Sequence, residues 1–182
     1  FKVEPKGAWL TERVWEPHLP KLLKRAGIAY TLVDDWHIKG AGIPASELHA
    51  PFVTDHLGDT VTLLPIDERL RSLVPFQEPA EPIAHLRKIG AAAAPGVLPA
   101  GILVDDGEKF GVWPQTHDWV FVRGWLDRFL AAMEAAPDIE WMTPSEYLSR
   151  AVVRGPVYVG TASYQEMTEW ALPAAAQHAM HD

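Results

Sequence analysis

The feature that most constrains the fold is an apolar run that ends in acids. Residues 28–33 read Ile-Ala-Tyr-Thr-Leu-Val, and Asp34 and Asp35 follow at once. A near-continuous apolar run of this length is typical of a parallel strand covered on both faces, whereas a half-exposed strand alternates between apolar and polar residues. The run therefore predicts a buried strand of a parallel sheet, with carboxylates at its carboxyl end.

Similar runs recur along the chain, and amphipathic segments separate them. We predict further strands at 60–66, 101–104, 139–142 and 157–159. We predict helices at 17–26, 79–89 and 118–135, and another that starts at 144. Alternating strands and helices favour the α/β class with a parallel sheet, and right-handed crossovers curl such a sheet toward a barrel. Since four or five strands cannot close an eight-stranded barrel, the expected architecture is an open barrel segment.

Composition excludes several classes of function. The 182 residues are 48% hydrophobic and 22% charged, as expected for one ordinary globular domain. A net charge of −8 with no Lys/Arg-rich stripe argues against nucleic-acid binding. No run of 18 apolar residues occurs, so we predict no membrane span. The absence of cysteine excludes disulfides and thiolate metal sites and fits a reducing compartment, so we predict a cytoplasmic protein.

One stretch places several acids directly after a short apolar run. Residues 102–114 contain Asp105, Asp106 and Glu108 within four residues, and Trp113 follows. Acids and tryptophan at the end of a buried strand are how α/β enzymes present catalytic groups. The structural alternative is that these acids only cap the next helix.

A second stretch supplies another candidate acid. Residues 7–17 are apolar and aromatic, with Glu12 in the middle. Burying such an acid is costly unless it is paired, for example with Arg13, or has a chemical task. If Glu12 and Asp106 follow two neighbouring strands, they can face one pocket, and two carboxylates in one pocket are the minimum equipment for glycoside hydrolysis.

Four segments together resemble glycoside hydrolase family 57, in the branch of 4-α-glucanotransferases and α-amylases. They are residues 9–15 (Trp-Leu-Thr-Glu-Arg-Val-Trp), 34–37 (Asp-Asp-Trp-His), 105–114 (Asp-Asp-Gly-Glu-Lys-Phe-Gly-Val-Trp-Pro) and 162–173 (Ala-Ser-Tyr-Gln-Glu-Met-Thr-Glu-Trp-Ala-Leu-Pro). The resemblance implies an incomplete (β/α)7 barrel and a retaining enzyme that acts on α-1,4-glucans or maltooligosaccharides, without a cofactor. The family's His-Gln-Pro motif is missing. We therefore expect residues 1–182 to be a partial catalytic domain, without the N-terminal barrel strands, and to be weakly active or inactive alone.

The resemblance also implies roles for individual residues. Glu12 matches the family's catalytic nucleophile, and Asp106 matches its general acid/base. Asp105, one residue earlier, would then be a hydrogen-bond acceptor that supports the site.

Five further residues are candidates for substrate binding. Trp9, Trp113 and Trp170 each lie in a family motif beside an acid, and indole faces stack on the apolar faces of sugars. For a single tryptophan, packing in the core is the alternative. His37 and Glu108 are candidates for hydrogen bonds to sugar hydroxyls.

Two other functions remain open at the level of the sequence. One is a non-catalytic carbohydrate-binding fragment, which the missing His-Gln-Pro motif favours. The other is a metal-dependent α/β-barrel hydrolase in which Asp34, Asp35 and His37 surround the metal, although one histidine and two aspartates are a weak pattern for a metal site.

Overall fold

The computed structural model describes residues 2–181, without the side chains of Thr168, Met180 and His181. Its centre is a four-stranded sheet in the order β1-β2-β4-β3. The strands are β1 Gly7–Trp9, β2 Tyr30–Asp34, β3 Phe52–His56 and β4 Asp59–Ile66. Strands β1 and β4 both run parallel to β2, whereas β3 is antiparallel to β4. Because β1, β2 and β4 are parallel, their carboxyl ends meet at one edge of the sheet.

Both faces of the sheet are buried, as the apolar runs predict. Val33 and Leu63 point to one face, where they pack in a cluster with Trp15. Leu32 and Leu64 point to the opposite face and pack with Tyr147. Successive side chains of a strand alternate between faces, so a strand covered on both sides must be apolar at every position.

The helices surround the sheet in eight α-helical segments among the described residues. They are α1 Leu19–Arg25, α2 Asp35–Gly40, α3 Glu68–Leu73, α4 Ala80–Ala92, α5 Trp125–Glu134, α6 Pro144–Arg150, α7 Gln165–Trp170 and α8 Ala174–His181. Short 3-10 turns occupy Thr11–Arg13 and Gly107–Phe110, and a π-helix occupies Asp118–Val122. Across residues 2–181, no helix combines the length and the apolar character that crossing a bilayer requires.

The prediction of an α/β protein with an open, largely parallel sheet is confirmed. The strands predicted at 101–104, 139–142 and 157–159 are wrong, since none of these segments forms a ladder. At 101–104 the backbone is tied to the sheet by the bond from the Asp67 N–H to the Ile102 carbonyl (2.8 Å). The side chains of Ile102 and Val104 fill the face around Leu32. Their apolar character thus reflects packing without strand pairing.

Two other elements differ from the expectation. The helix predicted over 118–135 is interrupted, because Gly124 adopts left-handed backbone angles (φ 64°, ψ 34°) between the π-helix and α5. Strand β3 was not predicted. It pairs with β4 through a tight turn in which Leu57 and Gly58 both have positive φ (54° and 89°).

Candidate active site

The turn that carries Glu12 begins directly after β1, at the carboxyl edge of the sheet. Glu12 (φ 51°, ψ 20°) and Arg13 (φ 51°) both lie in the left-handed region, which costs free energy for residues other than glycine. The Ser163 hydroxyl donates a 2.6 Å hydrogen bond to the Glu12 carbonyl and so fixes the turn from the far end of the chain. The Glu12 side chain is exposed to solvent. Such strain persists only where surrounding contacts enforce it, and it is frequent at functional sites.

Arg13 connects the turn to the end of strand β2. Its side chain is buried, and its Nε lies 3.1 Å from Oδ2 of Asp34, the last residue of β2. The contact is an ion pair, although the N–H does not point at the oxygen with hydrogen-bond geometry. The guanidinium carbon also lies 4.2 Å from the ring centroid of Tyr164, a cation–π contact.

Tyr164 connects this buried charge to the exposed acid. Burial raises the pKa of Tyr164, and the charge of Glu12 together with a side-chain hydrogen bond to Glu12 raises it further. The phenol therefore keeps its proton, and its hydroxyl can donate a hydrogen bond to the Glu12 carboxylate. Tyr164 thus contacts Arg13 through its ring and Glu12 through its hydroxyl, so one side chain fixes both residues of the turn.

Asp34 is a buried carboxyl that interacts with two arginines, Arg13 and Arg71. Burial raises its pKa to about 6, against the lowering effect of the Arg13 and Arg71 charges, while Asp35 and Glu68 add to the increase. Among the described residues, its Oδ1 has no hydrogen-bond partner. Desolvation without full pairing is what pushes a buried carboxyl toward its neutral form.

Asp105 organises the second candidate acid. Its carboxylate accepts bonds from Arg71 Nη2 (3.1 Å) and Lys109 Nζ (2.5 Å). Burial favours the neutral acid, but the hydrogen bonds from Arg71 and Lys109 outweigh it and lower the pKa of Asp105. The Asp106 backbone N–H donates to the same carboxylate (2.9 Å), while the Asp106 side chain is exposed. Asp105 is thus the supporting acceptor that the sequence predicts, and it leaves Asp106 free to face solvent.

Buried charges of alternating sign connect the two exposed acids. Arg71 lies on α3 and interacts electrostatically with Asp105, Asp34 and Asp106. Arg13, which follows Glu12 in sequence, pairs with Asp34, and Asp34 interacts with Arg71. Arg71 in turn pairs with Asp105, which precedes Asp106. The structure therefore places Glu12 and Asp106 at two ends of one electrostatic network at the carboxyl edge of the sheet.

The three candidate stacking tryptophans all keep exposed surface. Trp9 and Trp113 are each 41% exposed, and Trp170 is 60% exposed, whereas Trp15 and Trp125 are core residues at 1% and 0%. These exposures separate the candidates from the core, which the sequence alone does not do.

Local contacts fix the orientation of two of these rings. Trp113 stacks on Phe76 (centroids 5.9 Å apart, 25° between planes), and Lys109 Nζ lies 5.3 Å from the Trp113 centroid. Trp170 meets Tyr164 edge to face at 6.0 Å.

Glu108 and His37 differ in accessibility. Glu108 is exposed, and its carbonyl accepts the backbone N–H groups of Val112 and Trp113 (2.9 and 3.1 Å). His37 is 3% exposed, and in the part of the chain that the structure describes neither ring nitrogen has a hydrogen-bond partner of normal geometry. Burial lowers the pKa of His37, against the effect of nearby backbone groups of Asp34, Ala162 and Arg13. The imidazole therefore lies beneath the Glu12 turn, and direct contact with a sugar would require that turn or the 162 segment to move.

The arrangement of donors does not favour the metal-dependent alternative. Asp34 is paired with Arg13, and Asp35 Oδ2 is paired with Lys39 Nζ at 2.9 Å. Within residues 2–181 as described, no group of three or more histidine, aspartate or glutamate side chains is positioned to hold a metal ion.

Four supporting residues were not predicted from the sequence, namely Arg71, Lys109, Ser163 and Tyr164. Lys109 carries a usable signal, since it lies four residues after Asp105, a spacing at which opposite charges meet on a helical turn. Ser163 and Tyr164 lie in the fourth family segment, 162–173, but their contacts with the Glu12 turn, like the contact of Arg71 with Asp105, depend on tertiary structure.

Comparison with known proteins identifies the family of the chain. The model of Glycosyl hydrolase family 57 matches residues 1–160. The 4-alpha-glucanotransferase of Thermococcus litoralis is 47% identical over 171 residues, and the Alpha-amylase of Pyrococcus abyssi is 44% identical over 171 residues. Each alignment covers 94% of this chain but 26% of the relative, so the chain spans about a quarter of their length.

Solved structures give the same relationship. The crystal structure of the Thermococcus litoralis 4-alpha-glucanotransferase superposes with a TM-score of 0.91 at 44% identity, covering 99% of this chain and 28% of that one. The alpha-amylase AmyC from Thermotoga maritima reaches a TM-score of 0.70 at 17% identity, over 93% of this chain and 45% of that one, which supports the fold alone. With a family model matched over residues 1–160, this chain belongs to glycosyl hydrolase family 57.

Proposed function

We propose that this chain is part of the catalytic domain of a retaining enzyme that acts on α-1,4-glucans. It transfers the cleaved glucan to a sugar acceptor, as a 4-α-glucanotransferase does, or to water, as an α-amylase does. The relatives named above carry these two activities in their names. The observation that carries the proposal is the pair of exposed carboxylates, Glu12 and Asp106, each of which directly adjoins in sequence a buried charged side chain, Arg13 or Asp105.

Glu12 is the proposed nucleophile. Its carboxylate attacks the anomeric carbon while the glycosidic bond breaks, which gives a covalent glycosyl-enzyme ester. A nucleophile must approach the ring from one direction, and the left-handed turn, Ser163 and Tyr164 together fix that direction. Holding the reacting atoms in place removes much of the entropic part of the barrier.

Asp106 is the proposed general acid/base. It donates a proton to the leaving oxygen in the first step and removes a proton from the acceptor in the second. Asp105 remains ionised and holds the Asp106 backbone, so the two adjacent acids have separate tasks. Retention predicts that the Glu12 and Asp106 carboxyl groups are roughly 5–5.5 Å apart, whereas inversion would need roughly 6.5–9.5 Å.

A chimera tests these roles in a protein of full length. This chain replaces the matching 171-residue segment of the Thermococcus litoralis 4-alpha-glucanotransferase, to which it is 47% identical. The product should disproportionate maltoheptaose. Glu12→Gln should remove nearly all turnover, since an amide cannot form the ester. Asp106→Asn should be severe with glucans but milder with substrates that have good leaving groups, because these need little protonation.

Azide distinguishes the two acids. With Asp106→Asn, azide should restore turnover by attacking the glycosyl-enzyme and yield a glycosyl azide of retained configuration. An azide product of inverted configuration would show that the two roles are exchanged. Glu134→Gln and Asp127→Asn, at exposed acids on α5 away from the site, are the matched controls and should retain full activity.

The carbohydrate-binding alternative makes a different prediction for the same chimera. If the chain is a non-catalytic fragment, neither the chimera nor its Glu12→Gln variant should turn over maltoheptaose. Both should bind maltoheptaose with the same affinity. The binding surface of such a fragment would still require the exposed tryptophans described above.

A further inference from the structure

A cavity lies beside Trp113, seven residues after Asp106 in the chain. It has a volume of about 360 Å³, within the usual range of small-ligand sites. Its walls include Phe76, Trp113, Gln115, Asp118, Trp119 and Arg123. Of these, Trp113 and the Phe76 ring that stacks on it are part of the site described above, and the others are not.

The aromatic wall has the geometry of a sugar platform. The Phe76 and Trp113 rings are nearly parallel (25°), and the residues are 38% and 41% exposed. The Trp119 ring is fixed, because its indole N–H donates to the Pro75 carbonyl at 2.6 Å. A rigid, partly exposed aromatic surface binds the apolar face of a sugar with little loss of side-chain entropy.

The rim of the cavity is polar. Arg123 Nε donates to Asp118 Oδ2 at 2.6 Å, and both side chains are more than half exposed. This pair leaves a carboxylate oxygen and guanidinium N–H groups facing solvent, which suits neighbouring sugar hydroxyls that both donate and accept. Gln115, in the same wall, has a positive φ of 68°, a conformation that costs free energy for its residue type.

Lys109 joins this cavity to the candidate acid/base. Its Nζ lies 5.7 Å from the Phe76 centroid and 5.3 Å from the Trp113 centroid. The same ammonium binds Asp105, whose carboxylate holds the Asp106 backbone N–H. A ligand in the cavity therefore lies on the Asp106 side of the site, where the leaving group departs and the acceptor arrives.

We infer that this cavity is a remote acceptor subsite, which binds a glucosyl unit of a long α-glucan and makes transfer to long acceptors more efficient than transfer to short ones. The inference rests on the proposed function, since it assigns the cavity to the acceptor chain of that reaction. Phe76 and Trp113 form the platform, and Asp118 and Arg123 bind the hydroxyls.

Binding by the chain itself is the first test. Maltose and maltoheptaose are titrated into the 182-residue chain by calorimetry. Phe76→Ala should weaken the binding of maltoheptaose about tenfold, the amount expected when one stacked sugar loses its platform. Asp118→Asn, at an exposed position that does not threaten folding, should weaken it severalfold. Phe121→Ala is the matched control, because Phe121 is an exposed phenylalanine of the same π-helix that does not line the cavity.

Turnover by the chimera is the second test. The ratio of kcat/KM for maltoheptaose to that for maltose, each as acceptor, should fall about tenfold in Phe76→Ala and stay constant in Phe121→Ala. An equal loss for both acceptors would overturn the inference and assign Phe76 to support of the Asp106 loop. Equal binding by the Phe76→Ala and Phe121→Ala chains would also overturn it.

The two tests separate this inference from the proposed function. If Phe76→Ala weakens binding while Glu12→Gln leaves turnover intact, the catalytic roles fail and the glucan site stands. If Glu12→Gln abolishes turnover while Phe76→Ala changes neither binding nor the acceptor ratio, the catalytic roles stand and the subsite fails.

Discussion

At the scale of single residues, the Glu12 turn is held from two directions. Ser163 binds its backbone, and Tyr164 binds its side chain while stacking on Arg13. A carboxylate with one hydroxyl donor has fewer orientations than one in open solvent. Precise orientation is worth much more in the transition state than in substrate binding.

Removing the Tyr164 hydroxyl should therefore affect catalysis more than binding. In the chimera, Tyr164→Phe keeps the contact between the ring and Arg13 and deletes the hydroxyl that interacts with Glu12. A hydrogen bond to a charged group contributes about 1.5–3 kcal/mol, so kcat should fall about 10- to 100-fold while KM changes little. Steady-state kinetics with maltoheptaose measures both parameters.

Tyr158→Phe is the matched control for that variant. Tyr158 is exposed and donates its hydroxyl to Asp55 at 2.8 Å, away from the site. The kcat of the Tyr158→Phe chimera should equal that of the unmodified chimera. A Tyr164→Phe protein that raises KM without lowering kcat would show that the hydroxyl serves substrate binding instead.

Asp34 should make the stability of the chain depend on pH. Its pKa is about 6 in the folded protein and 3.8 as the ordinary value, so the folded state holds this proton more tightly than the unfolded state. The resulting stability is fully present below about pH 4 and is lost as pH rises through 6, by up to about 3 kcal/mol.

Urea unfolding of the chain between pH 4 and pH 7 measures this dependence. The free energy of unfolding of the unmodified chain, minus that of Asp34→Asn, should decrease as pH rises across the interval. Asp127→Asn, at an exposed position, should give a difference that does not change with pH. A constant difference for Asp34→Asn would mean that Arg13 keeps Asp34 ionised throughout.

The sequence predicts the exposed half of the candidate site better than the buried half. Glu12 and Asp106 stand out because each follows an apolar segment, where an acid requires an explanation. Arg71 does not stand out, since it is one of several charges on a helix and only the fold brings it to Asp105. His37 reads as a polar residue among acids, yet α2 turns its ring into the interior.

At the scale of elements, the outer edge of β3 is protected by a segment that is not a strand. The Val53 N–H donates to the Arg154 carbonyl (2.8 Å), and the Val53 carbonyl accepts from the Val157 N–H (2.9 Å). An uncovered edge would offer these groups to other chains. The apolar pattern at 157–159 predicts a strand, but Val157 and Val159 enter the core while a single turn at Gly155 prevents a continuous ladder.

Gly155 should be the residue on which this cover depends. It has a φ of 117°, and a Cβ there would lie 3.1 Å from the Val53 carbonyl oxygen and 3.1 Å from the Val157 nitrogen. Gly155→Ala should lower the free energy of unfolding by about 1–3 kcal/mol. Gly160→Ala is the control in the same segment, since its Cβ would meet nothing within 4 Å. Urea unfolding measures the free energy of unfolding of both variants. Equal values would show that the segment around residue 155 shifts to admit a Cβ without loss of stability.

At the scale of the whole molecule, strand β1 leaves the site open on one side. Within the described residues β1 pairs only with β2, and Glu12 follows it by three positions. The chain also spans about a quarter of its relatives. The 182-residue chain should therefore turn over maltoheptaose far more slowly than the chimera, because no strand among the described residues pairs with the other edge of β1.

Parallel assays of the two proteins at equal concentration measure the difference. Disproportionation by the isolated chain in the usual enzyme range, about 1 to 10³ per second, would show that these residues suffice as a catalyst. Circular dichroism of the isolated chain is the control. Slow turnover by a folded chain fits the prediction, whereas slow turnover by an unfolded chain would reflect its low stability.

The hydrogen bond from Ser163 to Glu12 spans 151 positions in the chain. During synthesis Glu12 leaves the ribosome 151 residues before Ser163, and the residues of all four strands of the sheet emerge before Ser163 and Tyr164 do. The sheet can thus assemble on the nascent polypeptide before Ser163 and Tyr164 can contact the strained turn. In a cell that makes this protein, Glu12 is therefore held only after Ser163 and Tyr164 have emerged, so a ribosome that stalls before the codon for Ser163 leaves the sheet without the contacts that orient Glu12.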